Sequence, residues 1–75
     1  MQVKLSDHAH KRRRQRHITV AEIEAVLDDP EIDRPSKAAG RRLYEAHPNG
    51  HHVAVVVREG TKPLIVVTVW SNDEV

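Results

Sequence analysis

Residues 5–26 read LSDHAHKRRRQRHITVAEIEAV, and this stretch decides the fold because it predicts two consecutive helices of opposite charge. Ser6 is a favourable N-cap, and the residues after it are tolerated in helices. Thr19 and Glu22 form the capping-box pattern that opens the second helix. Pro30 ends that helix, because the residue before a proline avoids helical backbone angles.

The apolar residues of the second helix lie on one face. Four of them recur at helical spacing and form a stripe: Val20, Ile23, Val26 and Leu27. Ile18, just before the helix, can pack on Ile23 as a hydrophobic staple. The sequence therefore predicts a helical hairpin over about residues 6–29, with an apolar side that needs a sheet to pack on.

Extended runs and turns make up the rest of the chain. Asn49-Gly50 between two alternating runs predicts a β-hairpin, whose register places Tyr44 opposite Val55. Shorter extended runs predict a strand at residues 1–5 and an edge strand at residues 31–34.

The fold class predicted for this single domain of residues 1–75 is therefore α+β. A short N-terminal strand and two helices precede a three- to four-stranded antiparallel β-meander over about residues 31–70, which packs on the helices.

The last predicted strand, residues 64–70, is apolar on both of its faces. Such a pattern is typical of strands that are covered on both sides. Because two small helices cover only one face of a sheet, we expect a second copy of the chain or a partner protein on the other face. The alternative is a strand whose β-branched residues stay exposed on one side.

The composition limits the possible classes of protein. The chain has no Cys, which excludes disulfides and thiolate zinc sites. Its longest apolar run, residues 64–69, is too short to cross a bilayer, and the basic N-terminal region lacks the apolar segment of a signal peptide. We therefore expect a soluble, cytoplasmic protein without a membrane partner.

Charge is distributed unevenly along the chain. Residues 1–18 carry a net charge of +5, whereas residues 19–33 contain six acidic residues and no Lys or Arg. A clustered basic face can bind phosphates even when the whole molecule is nearly neutral. The alternative is that the two helices neutralise each other.

Three residues of the first helix form its candidate site. His8, Arg12 and Arg16 are spaced by four, so they lie along one side of the helix, near the apolar face that turns toward the protein body. Two guanidinium groups can hold a phosphodiester, and a His can transfer a proton near neutral pH. The alternative is that both Arg side chains pair with acids of the second helix.

Other constellations give weaker signals. Lys11, Arg13 and Arg14 add positive charge as candidate nucleic-acid contacts. The acidic second helix argues against a helix-turn-helix DNA reader, whose recognition helix should be basic. His47 and His52 face each other across the predicted hairpin, but two imidazoles at a polar turn are usually solvated. The sequence therefore predicts no metal and no cofactor.

The chain combines the pattern S-x-H-A-x-x-R-x-x-x-R-x-I-T over residues 6–19 with a following acidic helix, R-L-Y at residues 42–44 and two Val-rich strands. In this combination the chain resembles the domain-of-unknown-function family four-two-five-eight. The resemblance covers nearly the whole chain. His17 departs from it, because that family often has Gly in the break between the helices.

That family is thought to be similar in fold to barnase, colicin ribonuclease domains and RelE-type toxins. The resemblance implies two N-terminal helices on an antiparallel sheet and a metal-independent ribonuclease or toxin-like role. Carried over to this chain, it makes His8 the proton-transfer residue, with phosphate stabilisation by Arg12 and Arg16. Arg42 and Tyr44, on the neighbouring strand, would also contribute to this site.

We therefore expect a metal-independent endoribonuclease, plausibly the toxin of a toxin–antitoxin pair, which binds RNA and an antitoxin protein. The hydroxyl of Thr68 is a further candidate, although the sequence leaves its face open. One alternative is a non-catalytic module that binds protein or nucleic acid as a dimer or with a partner. Another is an inactive relic of the same fold that serves as a homodimer.

Overall fold

The computed structural model describes residues 3–72, which form two helices and five strands. In chain order these are β1 (Val3–Leu5), α1 (Asp7–Gln15), α2 (Val20–Asp28), β2 (Ile32–Pro35), β3 (Arg41–Ala46), β4 (Val53–Arg58) and β5 (Leu64–Trp70). Residues 1 and 2 of the predicted first strand lie outside the described residues. The predicted α+β class is confirmed, with helices and strands close to their expected positions.

Side-chain caps begin both helices, as the sequence predicts. The Ser6 hydroxyl accepts a hydrogen bond from the Ala9 amide at 3.1 Å and donates one to the Val67 carbonyl at 3.0 Å, which ties the start of α1 to β5. The Thr19 hydroxyl accepts from the Glu22 amide at 3.1 Å, and the Thr19 amide donates to the Glu22 carboxylate at 2.9 Å. The capping box of α2 is thereby confirmed.

The Glu22 carboxylate also connects α2 to the sheet. It lies 3.0 Å from Nδ1 of His51, just before β4. Burial opposes its ionisation, but hydrogen bonds from the Thr19 amide and from His51 outweigh burial and lower the pKa of Glu22 below its usual value. One carboxylate thus caps a helix and anchors it to the sheet.

The strands form a single sheet in the order β1-β5-β4-β3-β2. The predicted antiparallel meander is present as β2 to β5. The first strand, for which the sequence suggested no neighbour, joins the sheet as an edge strand parallel to β5. Parallel pairing requires a long crossover, and here both helices and the strands β2, β3 and β4 lie between the paired strands in the chain.

The hairpin between β3 and β4 has the predicted register, with Tyr44 opposite Val55. Its turn places Asn49 at φ 56° and Gly50 at φ 75°, and the His51 amide donates to the Pro48 carbonyl at 3.0 Å. Positive φ at both central residues is the type I′ geometry, which matches the twist of the strands.

A bulge in β5 decides which residues of its second half face the helices. Val66 pairs with Val57 but Thr68 pairs with Val56, so Val67 is an extra residue in the strand. The bulge keeps Val66 and Val69 on the helix side, both almost fully buried. Thr68 therefore lies on the opposite face, which answers the question that the sequence left open.

The helices cover one side of the sheet, here called the helix face, and an aliphatic core fills the space between them. Its largest fully buried side chains are Ile18, Ile23, Val26, Val53, Val55, Val57, Val66 and Val69. Burial of Ile18 and Ile23 together is the contact expected of the predicted staple. Val20, predicted to belong to the apolar stripe, is only half-buried.

On the opposite side, here called the outer face, residues 3–72 place no helix. Leu43, Ala54 and Val56 are nevertheless buried there, with Trp70 packed against them. Ile32 on β2 is 43% exposed. The chain thus buries the centre of its outer face by itself, and the second copy or partner protein expected on that face stays a prediction.

We expect His17→Gly to stabilise the fold by about 0.5–1 kcal/mol. His17 lies between the helices at φ 57°, a left-handed conformation that Gly adopts without the steric cost of a Cβ atom. Thermal denaturation of both proteins measures the effect. His17→Ala is the control, because Ala at the same φ keeps the strain. A melting temperature lower for the Gly variant than for the Ala variant would contradict this explanation.

Candidate functional site

A groove lies between α1 and the second half of β5. The first strand pairs only with residues 64–66, after which the chain turns at Ser6 into α1. Beyond that point β5 has β4 on one side and the groove on the other. We call it the α1 groove; it has a volume of about 270 Å³ and is lined by His8, Arg12, Arg16, Thr68, Val69 and Trp70.

The structure brings together the three α1 residues that the sequence singled out. Ala9 is fully buried and fixes which side of α1 packs on the core. The side chains of His8, Arg12 and Arg16 line the flank next to that side, and all three residues are exposed. The prediction that they turn inward is thus corrected. They lie at a rim, because α1 packs along β5 near the sheet edge, where its flank meets solvent.

The cations of the α1 groove are not neutralised by α2. Glu22 of α2 is engaged with His51, and the acids that follow the helix, Glu31 and Asp33, pair with His47 and Arg42. Within residues 3–72, neither Arg12 nor Arg16 forms an ion pair or a side-chain hydrogen bond. The expected alternative, in which acids of α2 pair with both guanidinium groups, is therefore not what the described residues show.

Two further candidate residues lie elsewhere. Arg42 and Tyr44 belong to β3, which is separated from β5 by β4, and neither lines the α1 groove. Arg42 Nε donates a hydrogen bond to the Asp33 carboxylate, which raises the pKa of Arg42 further above its ordinary value. Tyr44 packs against the core on the helix face. The structure therefore does not combine these residues with His8.

The remaining basic residues of α1 do not line the groove. Nε of Arg13 donates to Nδ1 of His10 at 3.4 Å. Lys11 and Arg14 are exposed. These side chains can add long-range attraction for an anion, but contact with a ligand in the groove falls to other residues.

The histidines near the hairpin are engaged with carboxylates. The rings of His47 and His52 make an edge contact with centroids 5.3 Å apart, as their predicted pairing implies. His47 lies 3.1 Å from Glu31, and His52 Nε2 lies 2.8 Å from Glu45. Since His52 Nδ1 accepts the Asn72 amide at 2.9 Å, its proton belongs on Nε2. Across the described part of the chain, no group of three or more potential ligands is arranged for a metal ion.

Two groove residues were missed by the sequence reasoning. Val69 and Trp70 line the α1 groove beside Thr68, and nothing in their local pattern distinguishes them from core residues of a buried strand. They line the groove because the pairing of β1 with β5 ends at Val66, before these residues.

Within residues 3–72, no helix is long and apolar enough to cross a membrane.

Comparison with known proteins supports the family resemblance and leaves the wider one open. Searches of curated proteins and of solved structures gave no match. The likeness to barnase, colicin ribonucleases and RelE-type toxins thus stays a prediction. A family model described as "Domain of unknown function (DUF4258)" matches residues 5–71, which is most of the chain. By this match the chain belongs to the DUF4258 family.

Proposed function

We propose that the protein binds single-stranded RNA in the α1 groove and cleaves it without a metal ion, with His8 as the proton-transfer residue. The observation that carries the proposal is the combination of Arg12, Arg16 and His8 in one groove, with no carboxylate paired to them among the described residues. Uncompensated cations beside an open groove are a binding arrangement for an anion.

Phosphate is the anion that best suits this arrangement. Each guanidinium presents a planar set of N–H donors that can bind two phosphate oxygens at once. Arg12 and Arg16 lie one helical turn apart, so they can contact the same phosphate or successive phosphates of one strand. Glu22 of α2 does not compete, because its carboxylate is engaged with His51.

Single-stranded nucleic acid fits the groove better than a duplex. Trp70 is one of the residues that line the groove, and it is partly exposed. Aromatic side chains beside a basic groove bind single strands by stacking on their bases. A duplex needs a protruding basic element, whereas the helix that follows α1 is acidic.

The proposed reaction uses the 2′-hydroxyl of RNA as its nucleophile. A neutral His8 imidazole accepts the 2′-hydroxyl proton while the O2′–P bond forms and the P–O5′ bond breaks, and solvent protonates the leaving 5′-oxygen. Arg12 and Arg16 stabilise the negative charge that accumulates on the phosphorane oxygens. The exposure of His8 leaves its ring accessible to a bound strand.

A toxin role with a protein inhibitor is part of the same proposal. The edge strand β2 is exposed along its whole length, and Ile32 on it is the most exposed large apolar residue described. An open edge can accept a strand from an antitoxin or from a second copy of the chain. A cysteine-free chain that acts on RNA is expected in the cytoplasm.

We expect Arg12→Gln/Arg16→Gln to lower RNA affinity by at least about tenfold at low salt, because two phosphate contacts are lost. The plot of log affinity against log salt should become shallower by about 1.4, since each phosphate contact on a single strand contributes about 0.7. Fluorescence anisotropy with a labelled mixed-sequence oligoribonucleotide measures both quantities.

The matched control is Lys11→Gln/Arg14→Gln. It removes the same charge from the same helix but leaves the α1 groove unchanged. We expect its affinity to fall by no more than about threefold, since long-range attraction is screened by salt. Equal losses in the two double variants would show that binding depends on total charge and would contradict a site in the groove.

A further inference from the structure

A second concavity lies on the outer face of the sheet, away from the helices. We call it the outer pocket; its volume is about 590 Å³, and its lining includes Arg34, Lys37, Arg41, Leu43, Val56 and Trp70. This volume is in the range of pockets that hold small molecules. The outer pocket shares Thr68 and Trp70 with the α1 groove, but its cations come from β2, β3 and the loop between them.

Two cations that line the outer pocket, Lys37 and Arg41, form no ion pair among residues 3–72. Arg41 lies directly opposite Arg58 in the β3–β4 pair, and like charges in this position destabilise a sheet. No ion pair involves Arg41, Arg58 or Lys37 within residues 3–72. Arg34 lies 3.9 Å from Glu45, a carboxylate that also contacts His52. An anion bound beside Arg41 would therefore relieve an unfavourable contact that the fold itself creates.

The floor of the outer pocket is apolar. Leu43 and Val56 are cross-strand neighbours and are almost completely buried. Trp70 packs against this pair and remains half-buried, so part of its indole is available to a ligand. An apolar floor with an indole beside it suits a planar aromatic ring, since such rings stack on Trp.

We propose that the outer pocket binds a nucleotide. The base would lie on the floor against Trp70, and the phosphate would be held by Lys37 and Arg41. The two halves of the pocket match the two halves of such a ligand: an apolar surface with an indole for the base, and cations without an ion pair among residues 3–72 for the phosphate. The site does not depend on cleavage or on RNA binding in the α1 groove. The nucleotide is either free or part of an RNA strand.

Trp70 is the single tryptophan of the chain and lines both the outer pocket and the α1 groove, so its fluorescence reports binding at either place and the variants below distinguish the two. We would titrate the protein with adenosine 5′-monophosphate, adenosine and inorganic phosphate. We expect saturable quenching by the monophosphate, with adenosine binding at least about tenfold more weakly because the phosphate contacts are missing. Inorganic phosphate should bind without the same quenching, because it lacks a base.

Arg41→Gln should weaken binding of the monophosphate by about tenfold, and Lys37→Gln should weaken it in the same direction. Arg14→Gln is the matched control, because it removes one positive charge at an exposed residue that lines neither the outer pocket nor the α1 groove, and it should change the affinity by less than about twofold. Arg12→Gln tests whether the nucleotide binds in the α1 groove instead. Arg41→Gln also removes the Arg41–Arg58 repulsion, so its melting temperature without ligand should equal or exceed that of the wild type. Saturating nucleotide should raise the melting temperature of the wild type more than that of this variant.

Three results would overturn the proposal. The first is the absence of saturable quenching by the monophosphate. The second is a loss in Arg12→Gln as large as that in Arg41→Gln, which would place the nucleotide in the α1 groove. The third is equal affinity for adenosine and its monophosphate. Failure of RNA binding in the α1 groove would leave these three tests unaffected. If these tests support the site, a competition experiment identifies the source of the nucleotide. Displacement of bound monophosphate by oligoadenylate RNA, together with loss of that displacement in Arg12→Gln/Arg16→Gln, would show that the nucleotide is part of an RNA strand. Absence of displacement would show that it is a free nucleotide.

Discussion

His8→Ala is expected to lower metal-independent cleavage of RNA by about 100-fold or more while the RNA remains bound. His8 supplies the proton-transfer group of the proposed reaction, whereas Arg12 and Arg16 supply most of the affinity for phosphate. Loss of the imidazole therefore removes a chemical step and leaves the phosphate contacts in place. This separation of rate from affinity is the signature of a catalytic residue.

The measurement is cleavage of a labelled mixed-sequence RNA in EDTA by wild-type protein and variants, with affinity determined in parallel. His10→Ala is the matched control, because it makes the same change on the same helix at a residue that contacts Arg13 and does not line the groove. Its cleavage rate should stay within about threefold of the wild type. A ribonuclease contaminant would cleave equally in all three preparations.

Other outcomes decide between the proposed activities. Cleavage by His8→Ala at the wild-type rate would remove His8 from the reaction. If none of the three proteins cleaves RNA although all of them bind it, the protein is a binding module and not an enzyme. Cleavage that disappears in EDTA would contradict the metal-independent mechanism.

Ile23→Ala is expected to destabilise the fold by about 3 kcal/mol, because it removes a fully buried side chain and leaves a cavity. A chain of this length has a free energy of unfolding of about 4–11 kcal/mol, so one substitution removes a large part of it. The melting temperature should fall by about 12–24 °C. Ile23 has this effect because it packs on Ile18 and on the helix face of the sheet simultaneously.

Val20→Ala is the control for helix propensity, since it introduces Ala into the same helix at a half-buried position. We expect it to cost no more than about 1 kcal/mol. Urea denaturation followed by circular dichroism gives the free energy of unfolding for each protein. Equal losses in the two variants would mean that α2 is held by its intrinsic helix formation and not by the core contact of Ile23.

Local sequence signals predicted most of the elements. The capping box at Thr19 and Glu22 set the start of α2, and the Asn49-Gly50 pair set the register of the β3–β4 hairpin. Both signals work because they satisfy hydrogen bonds or backbone angles within a few residues. The spacing of His8, Arg12 and Arg16 likewise placed them on one side of α1, since helical periodicity needs no tertiary information.

Long-range contacts account for what could not be predicted. Arg42 was proposed to lie near His8, but it is held by Asp33 of β2, a partner that only the sheet order determines. Arg12 and Arg16 were expected to turn toward the protein body, but both are exposed at the rim of the α1 groove, because α1 packs along β5 near the sheet edge. Placement of α1 along the edge follows from the pairing of β1 with β5, which involves residues about sixty positions apart.

The sequence by itself thus determined the α+β class, both helix caps, the hairpin and the common side of the three α1 residues, because each depends on neighbours along the chain. Only the tertiary structure decided the bulge at Val67, the outward face of Thr68 and the opening of the α1 groove beside Trp70. The physical reason is that a bulge and an edge pairing are chosen by the fit of whole strands and helices to one another. That fit is a property of the packed core, and no single stretch of the chain contains it.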